Sequence, residues 1–286
     1  MTVRLLAILG IGLVEPDTPV LRADDLGLTR GDGCFEGCRV VTSADGVSVV
    51  DKLERHLARM THSAAALDIS FDDRAWRGLV SQATAAWPTP GEAAMKLLLT
   101  RGSPSGGGPT GLLTISTLPV NYPRQRRDGI RVVTLTRGTT SDAFTDAPWL
   151  LGGIKTLSYA VNMAAVREAE RRDADDVIFL SADGRVLESG VSSVVWSSGR
   201  TLHTTPAGAS GILGGTTQQL LFDRAPAAGW RTAVTDASVA DLHAADTLWL
   251  TGTVRGPVDV IELDGRPRAR DAAANEEVRR LCGFGP

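Results

Sequence analysis

Lys155 is the residue of this chain best suited to act as a nucleophile. Lysine and arginine together number 30 in the 286-residue sequence, and only Lys52, Lys96 and Lys155 are lysines. Lys155 lies in an almost uncharged run from Pro148 to Tyr159. Burial among apolar groups favours a neutral amine, which condenses with a carbonyl to form a Schiff base, whereas a guanidinium keeps its proton. The alternative is a structural lysine whose amine reaches solvent from a strand end.

A Schiff-base lysine is typical of enzymes that use pyridoxal 5'-phosphate, and other segments fit that cofactor. The glycine-rich run Gly211–Thr217 leads into a predicted helix that begins near Thr216, where free backbone amides favour a phosphate. Thr251-Gly-Thr253 adds hydroxyl and amide donors. Glu188 lies among small residues and is a candidate partner for the protonated ring nitrogen. Taken alone, the glycine-rich run is more typical of a turn into a helix, and Glu188 of a solvent-exposed glutamate beside a turn.

The order of these motifs resembles that of the class IV aminotransferases, the fold-type IV pyridoxal phosphate enzymes, over nearly the whole chain. The resemblance rests on Gly31-Asp-Gly-Cys-Phe-Glu36, Arg59 in His-Leu-Ala-Arg-Met, Lys155 in Ile-Lys-Thr-Leu-Ser-Tyr, Glu188 in Leu-Glu-Ser-Gly-Val-Ser-Ser, and Gly-Ile-Leu-Gly-Gly-Thr-Thr. It implies an α/β (α+β) fold class, the two-domain D-amino acid aminotransferase-like fold, and a homodimer.

The resemblance also implies roles for individual residues. Lys155 is the implied catalytic residue, which holds the cofactor and then moves protons at the substrate carbon. The implied cofactor-binding residues are Arg59 for the phosphate, Glu188 for the pyridine nitrogen, and Ser192, Ile212, Leu213, Thr216, Thr251, Gly252 and Thr253. The candidate substrate contacts are Arg30, Phe35, Tyr159 and Arg255. Tyr159 also fits a helical core stripe with Met163 and Val166, and both arginines are also compatible with solvated positions.

Within this family the sequence favours a 4-amino-4-deoxychorismate lyase, which releases pyruvate and 4-aminobenzoate from an amine substrate in folate biosynthesis. Gly31-Asp-Gly-Cys-Phe35 is similar to the lyases, whereas Phe35-Glu-Gly-Cys-Arg39 is similar to branched-chain aminotransferases. No basic residue occurs from Gly102 to Leu118, where D-amino acid transaminases place an arginine and a histidine. A D-amino acid or branched-chain transaminase remains the alternative. A non-catalytic module that binds a phosphorylated ligand is the third interpretation.

Periodicity predicts the elements that position these residues. One helical stripe predicts a helix from about 52 to 67 and consists of Leu53, Leu57, Met60, Ala64 and Leu67. Asp51 and Glu54 have the spacing of a capping box at its start. Other predicted elements are strands at about 111–118, 131–136, 177–180 and 192–196, a helix at 157–172, and hairpin turns at Ala182–Arg185 and Ser197–Arg200.

The polar, proline-containing stretch 119–128 is typical of a linker. It divides the sequence into a small N-terminal α/β domain, 1–118, and a large C-terminal α/β domain, 129–286. We expect the cofactor in the cleft between them, since domain interfaces are common ligand sites.

Composition predicts a globular protein with no nucleic-acid partner and no membrane association, because 43% of residues are hydrophobic, the net charge is only -3 and like charges form no block. The apolar N-terminal run is followed by Glu15-Pro-Asp rather than by a small-residue cleavage site, which favours a strand in a cytoplasmic protein. Cys34, Cys38 and Cys282 are expected to be buried thiols. No metal is expected, because the four histidines lack metal-ligand spacing.

Overall fold

A computed structural model describes residues 2–285, and the chain forms two compact units. The first unit comprises the chain up to Val120 together with the segment Ile154–Ser158. The second comprises Asn121–Gly153 and the chain from Tyr159 onward. The stretch 119–128, which the sequence suggests is a linker, contains a helix. Lys155 thus belongs to a five-residue segment of the first unit that, along the sequence, is preceded and followed by residues of the second.

The first unit contains a six-stranded antiparallel sheet with the order β2-β1-β6-β5-β3-β4. Its strands are β1 Val3–Ile8, β2 Gly12–Val14, β3 Gly33–Thr42, β4 Ser48–Val50, β5 Gly91–Thr100 and β6 Thr110–Thr117. Its helices are α1 Leu26–Arg30, α2 Leu53–Ala66 and α3 Asp73–Ala85. The longest pairing joins β3 to β5, from Gly33 opposite Thr100 to Thr42 opposite Gly91.

Helix α2 packs against β3, and the periodicity of each element shows why. The predicted stripe of α2 is confirmed, because Leu57, Met60 and Ala64 are fully buried. Alternate residues of β3 are fully buried as well, as expected for a strand with a period of two; they are Cys34, Glu36, Cys38 and Val40. One member of this buried row is a carboxylate, which requires polar partners.

The start of α2 differs from the predicted capping box, and the Asp51 prediction is wrong. Lys52 is the N-cap residue, in the left-handed conformation with φ of 57°, and its side chain makes no capping bond. The Asp51 carboxylate instead accepts hydrogen bonds from Arg39 Nη2 at 2.9 Å and from Lys52 Nζ at 2.7 Å. Two cations therefore hold the carboxylate that the spacing assigned to the helix amides.

The second unit contains a nine-stranded mixed sheet with the order β12-β11-β10-β13-β14-β7-β8-β9, and β15 pairs with β14. Its strands are β7 Ile130–Thr136, β8 Asp176–Leu180, β9 Val186–Ser189, β10 Ser193–Ser198, β11 Thr201–Thr204, β12 Arg231–Val234, β13 Thr247–Gly252, β14 Gly256–Leu263 and β15 Arg266–Pro267. Its helices are α4 Tyr122–Asp128, α5 Ala160–Arg171, α6 Thr216–Arg224, α7 Val239–Ala244 and α8 Ala272–Leu281. Strand β7 is parallel to β8 and β14, and β11 is parallel to β12.

Both faces of this sheet are covered by core. Along β8, Ile178 belongs to one buried cluster, while Val177 and Phe179 belong to another that includes Ile212. The two predicted hairpins are confirmed, because β8 pairs antiparallel with β9 and β10 with β11. All three cysteines are buried thiols, as predicted. Within residues 2–285, no helix has the length and apolar character needed to cross a membrane.

Candidate active site

The segment that contains Lys155 is fixed to the start of β3 by backbone hydrogen bonds. Phe35 N donates to Lys155 O at 3.1 Å, and Leu157 N donates to Gly33 O at 2.9 Å. Ser63 of α2 lies on the other side, where its hydroxyl accepts a hydrogen bond from Lys155 N at 3.2 Å. Strand β3 and helix α2 therefore fix the backbone of this lysine from two sides.

The amine of Lys155 lies over the ring of Phe35. Its Nζ atom is 4.4 Å from the ring centroid, and the side chains of both residues are half-buried. The exposed Lys96, on the neighbouring strand β5, has its Nζ 5.7 Å from the same centroid. Phe35 was predicted as a substrate contact from the sequence, and it lies beside the predicted nucleophile.

Arg59 is held by a fully buried carboxylate, that of Glu36. Arg59 Nε donates to Glu36 Oε1 at 2.7 Å and Arg59 Nη2 donates to Oε2 at 2.8 Å. His56 Nδ1 lies 2.6 Å from Glu36 Oε2, and the His56 ring is also fully buried. Only 14% of the Arg59 side chain is exposed. The predicted phosphate-binding arginine thus has its orientation set by a two-point ion pair.

Burial and pairing act in opposite directions on these groups. Burial alone would raise the pKa of the Glu36 carboxyl, but the hydrogen bonds and charge of Arg59, together with His56, lower it to about 2. Burial lowers the pKa of His56 below its usual 6.5, although Glu36 opposes this shift. At neutral pH the cluster therefore contains a carboxylate, a guanidinium and a neutral imidazole whose Nδ1–H donates to Glu36.

Sequence reasoning missed the role of Glu36, although the residue lies within the quoted glycine-rich motif. Two signals were present. Glu36 has the same alternation as the apolar residues of β3, and His56, Arg59 and Ser63 share a neighbouring stripe of α2. An acid in a buried strand row facing a polar helical stripe predicts an ion pair.

Glu188, the candidate partner of the ring nitrogen, is in β9 of the second unit. Leu213 N donates a hydrogen bond to Glu188 Oε2 at 3.1 Å, and Arg137 Nη1 is 3.8 Å from Oε1. Only 15% of the Glu188 side chain is exposed. The backbone of the segment before α6 therefore orients this carboxylate.

Helix α6 presents amide and hydroxyl donors at its N-terminus. Gly215 is its N-cap residue, has an extended conformation and makes no side-chain capping bond. The hydroxyls of Thr216 and Thr217 lie 3.0 and 3.5 Å from Thr253 Oγ1. A Cβ atom at Gly215 would overlap Ser193 Oγ, so a side chain here would require the Ser193 hydroxyl to rotate away. This arrangement suits a phosphate, which accepts hydrogen bonds from helix-terminal amides.

The remaining predicted cofactor residues belong to β13, to the segment before α6 and to the turn before β10. Thr251 Oγ1 donates to Ser193 O at 3.5 Å, at the pairing of β13 with β10. Ile212 is 5% exposed and its side chain belongs to the buried cluster below β8. Leu213 acts through its backbone amide. The Gly252 backbone follows Thr251 at the end of β13.

Arg255 forms a buried ion pair within the second unit. Its Nη2 atom donates to Asp176 Oδ2 at 2.6 Å and to Ser192 Oγ at 3.1 Å, and the arginine is 6% exposed. Asp176 also accepts a hydrogen bond from Ser189 Oγ at 3.0 Å. The structure thus gives Arg255 a partner inside the unit, and its predicted contact with a substrate stays a prediction.

Two further candidate substrate residues have locations that the sequence did not predict. Arg30 is exposed and ends helix α1, as the solvated alternative requires. Tyr159 is half-buried and is the N-cap residue of α5. Helix α5 buries Asn162, Ala165 and Ala169, and Met163 is 38% exposed, so the predicted core stripe through Tyr159 is wrong. The small residues face β8 because they let the helix approach the sheet closely.

The donor set of the two units matches the functional groups of pyridoxal phosphate. The second unit has amide and hydroxyl groups at the start of α6, and a carboxylate, Glu188, bonded by the amide of Leu213 three residues before that helix. The first unit has an amine beside an aromatic ring and a guanidinium in fixed orientation. The amine suits the cofactor's aldehyde, the amide and hydroxyl donors suit its phosphate dianion, and the carboxylate suits its pyridinium N–H.

The chain belongs to the class IV aminotransferase family, since the family model described as "Amino-transferase class IV" matches residues 33–263. The predicted family, enzyme class and fold-type IV architecture are therefore confirmed.

A relative from Mycobacterium tuberculosis is named "Bifunctional aminodeoxychorismate lyase / D-amino acid transaminase". It is 40% identical over 271 residues, which are 92% of this chain and 92% of the relative. Two solved structures of a hypothetical aminotransferase from the same organism share 40% identity and a TM-score of 0.92 with this chain, covering 98% of it and 97% of each structure. One is a PLP-bound form and the other holds alpha-ketoglutarate and PMP, which agrees with the predicted cofactor.

Proposed function

We propose that this pyridoxal phosphate enzyme is a 4-amino-4-deoxychorismate lyase that also has D-amino acid transaminase activity. The observation that carries the cofactor assignment is the geometry of residues 211–217. In this segment the Leu213 amide orients Glu188, and three residues later α6 begins at Thr216, whose hydroxyl lies 3.0 Å from that of Thr253. A short stretch of backbone therefore serves both a ring nitrogen and a phosphate.

Each residue has a defined task in this proposal. When bound, pyridoxal phosphate supplies an electron sink for the bond that breaks at the substrate carbon. Lys155 Nζ binds the cofactor, is displaced by the substrate amine, and then takes the proton from the substrate carbon that bears the amine. Glu188 keeps the ring nitrogen protonated, and the α6 amides hold the phosphate. Arg59, oriented by Glu36, presents a fixed positive charge, and the family resemblance assigns this residue to the phosphate.

The lyase assignment follows from how the substrate reacts. Aminodeoxychorismate has an amine that displaces Lys155 and an enolpyruvyl ether that leaves as pyruvate. Loss of the proton and the ether aromatises the ring to 4-aminobenzoate, so the step requires no keto acid acceptor. The relative that is 40% identical over 92% of both chains has this activity in its name, and that likeness supports the proposal.

Transamination is the proposed second activity, and it uses the same Lys155 and Glu188. In this reaction no ether leaves; the substrate loses its amino group, which passes to a keto acid acceptor. Two likenesses favour it. The name of the 40% identical relative includes D-amino acid transaminase, and a similar solved structure holds a keto acid with PMP. The absence of basic residues from Gly102 to Leu118 favours the lyase as the main activity.

The test compares two assays on the same holoenzyme preparation. Pyruvate and 4-aminobenzoate are measured after incubation with aminodeoxychorismate alone, and keto acid formation is measured with D-alanine or L-leucine plus 2-oxoglutarate. Acceptor-independent release of both products establishes the lyase. Keto acid formation that depends on the acceptor, with no 4-aminobenzoate, removes the lyase and leaves the transaminase.

Lys155→Ala and Lys96→Ala are the matched variants for both assays, because both amines lie near the Phe35 ring. We expect Lys155→Ala to abolish both activities and Lys96→Ala to retain them.

The homodimer implied by the family resemblance is likewise a proposal. Light scattering on holoenzyme eluting from a size-exclusion column tests it. A mass near 30.2 kDa would contradict the dimer.

A further inference from the structure

The loop between β7 and Lys155 is fastened to the segment that precedes α6. Phe144 N donates to Ala209 O at 3.0 Å, and Gly153 N donates to Gly211 O at 3.0 Å. All four residues belong to the second unit. The two hydrogen bonds hold residues 144–153 alongside residues 209–211.

The half-buried ring of Phe144 fills the space between Gly152 and Gly211, one glycine from each of these two segments. A Cβ atom at Gly152 would be 2.7 Å from Phe144 Cδ1, and a Cβ atom at Gly211 would overlap Phe144 Cδ2 and Cε2. Gly211 also has φ of +74°, a conformation that L side chains rarely adopt. The ring therefore occupies a slot that exists only because both neighbours lack side chains.

Gly211, on one side of the slot, is two residues before Leu213, whose amide bonds the Glu188 carboxylate. Gly211 is followed by Ile212, whose side chain is 5% exposed in the core cluster with Val177 and Phe179. The next residue is Leu213, whose amide donates to Glu188. The segment is thus held by Phe144 on one side and by the core on the other, and its next backbone amide has little freedom.

We propose that Phe144 is a positioning residue for Glu188. By filling the slot between Gly152 and Gly211, the ring fixes the backbone that presents the Leu213 amide to the Glu188 carboxylate. This inference deepens the proposed function and rests on it, because Glu188 matters here as the partner of the cofactor's ring nitrogen. A ring that only filled space would contribute to stability and leave the affinity of the apoenzyme for pyridoxal phosphate unchanged.

The test is a titration of apoenzyme with pyridoxal phosphate, followed by absorbance, for wild type, Phe144→Ala and Phe144→Leu. We expect Phe144→Ala to raise the Kd by at least about tenfold, since small displacements of positioned groups have effects of this size. Phe144→Leu retains apolar bulk and should have an intermediate Kd. Phe71→Ala is the control, because it removes a half-buried ring that stacks on Trp76 in the first unit. It should lower the thermal midpoint and leave the Kd unchanged.

A double-mutant cycle with Glu188→Gln separates positioning from general loosening of the unit. If Phe144 acts through Glu188, adding Phe144→Ala to Glu188→Gln should raise the Kd less than about threefold, because the residue it positions is already impaired. An equal fold-change in both backgrounds would overturn the inference. So would a Phe144→Ala protein with the wild-type Kd.

The result for the wild-type protein separates failure of the proposed function from failure of the Phe144 positioning role. Wild-type apoenzyme that binds no pyridoxal phosphate would overturn the proposed function and this inference with it. Wild-type binding at Lys155, combined with either contrary Phe144 result, would overturn the positioning role alone. Gly152→Ala adds a second variant in case Phe144→Ala does not fold, because its Cβ atom pushes the ring out of the slot. Gly152→Ala should also raise the Kd for pyridoxal phosphate. A wild-type Kd in this variant would contradict the claim that the filled slot positions Glu188.

Discussion

Glu36 holds Arg59 by two hydrogen bonds of 2.7 and 2.8 Å, with the carboxylate fully buried between β3 and α2. The phosphate-binding role proposed for Arg59 thus depends on a residue 23 positions earlier in the sequence. His56 Nδ1 lies 2.6 Å from Glu36 Oε2, the same atom that accepts from Arg59 Nη2. The guanidinium is oriented before any ligand arrives, which reduces the ordering that binding requires.

Replacing Glu36 by alanine should lower both stability and cofactor affinity. The change leaves Arg59 only 14% exposed without the buried carboxylate that pairs with it, and removal of one partner from a buried ion pair costs about 3 kcal/mol. Urea denaturation of the apoenzyme measures the stability loss, and a pyridoxal phosphate titration measures the affinity. Glu92→Ala is the control, since it removes a carboxylate that pairs with Arg39 at the far end of β3. An unchanged cofactor Kd in Glu36→Ala would contradict the positioning of Arg59.

The lowered pKa of His56 predicts that the protein loses stability on mild acidification. Its pKa is lowered in the folded protein, so below about pH 6.5 the unfolded chain takes up a proton that the folded chain excludes. This contribution is present above pH 6.5 and is lost as pH falls toward the folded pKa. The measurement is the free energy of unfolding in urea at pH 7.5, 6.5 and 5.5. His56→Gln should show a shallower fall over this range, and an identical slope in the two proteins would refute the buried neutral imidazole.

The lowered pKa of Glu36 predicts a second loss of stability at lower pH. Its folded pKa is about 2 and its ordinary value is 4.5, so the unfolded chain binds the proton first. The stabilisation is complete above pH 4.5 and disappears as pH falls toward 2. Glu36→Gln should remove this part of the acid dependence. Comparison with wild type from pH 5 to 3 measures it, and parallel curves would show that Glu36 does not titrate in this way.

Substitutions at Arg255 and Asp176 distinguish a structural role of Arg255 from a substrate-binding role. Its ion pair with Asp176 is buried, so Arg255→Met should lower the free energy of unfolding by about 3 kcal/mol because Asp176 is left as an unpaired buried charge. Adding Asp176→Leu should recover part of that loss. If Arg255 also binds the substrate carboxylate, the double variant should regain stability but keep a raised KM for aminodeoxychorismate. A wild-type KM in the double variant removes the predicted substrate contact.

Local sequence predicted the features whose causes are local. The α2 stripe through Leu57 and Met60 is a property of consecutive turns, and the turn at Asp183-Gly184 lies between adjacent strands that pair with each other. The glycines before Thr216 indicate a helix start for the same reason. Lys155 stood out because its own surroundings are almost uncharged.

Features that depend on distant partners were not predictable in this way. Asp51 has the spacing of a cap, but Arg39 reaches it from the neighbouring strand and outcompetes the helix amides. Asp176 and Arg255 are 79 positions apart, so their pairing depends on how β8 and the turn between β13 and β14 are arranged in one sheet. Tyr159 shared a stripe by spacing alone, and the helix in fact begins one residue later.

The central claim is that Lys155 Nζ binds pyridoxal phosphate covalently. Its most direct test is borohydride reduction of the holoenzyme, followed by proteolysis and mass spectrometry of the peptides containing Lys52, Lys96 and Lys155. We predict that the reduced pyridoxyl phosphate mass is found on Lys155 alone. Modification of Lys52 or Lys96 in its place, or no modified lysine in protein saturated with the cofactor, would contradict the account.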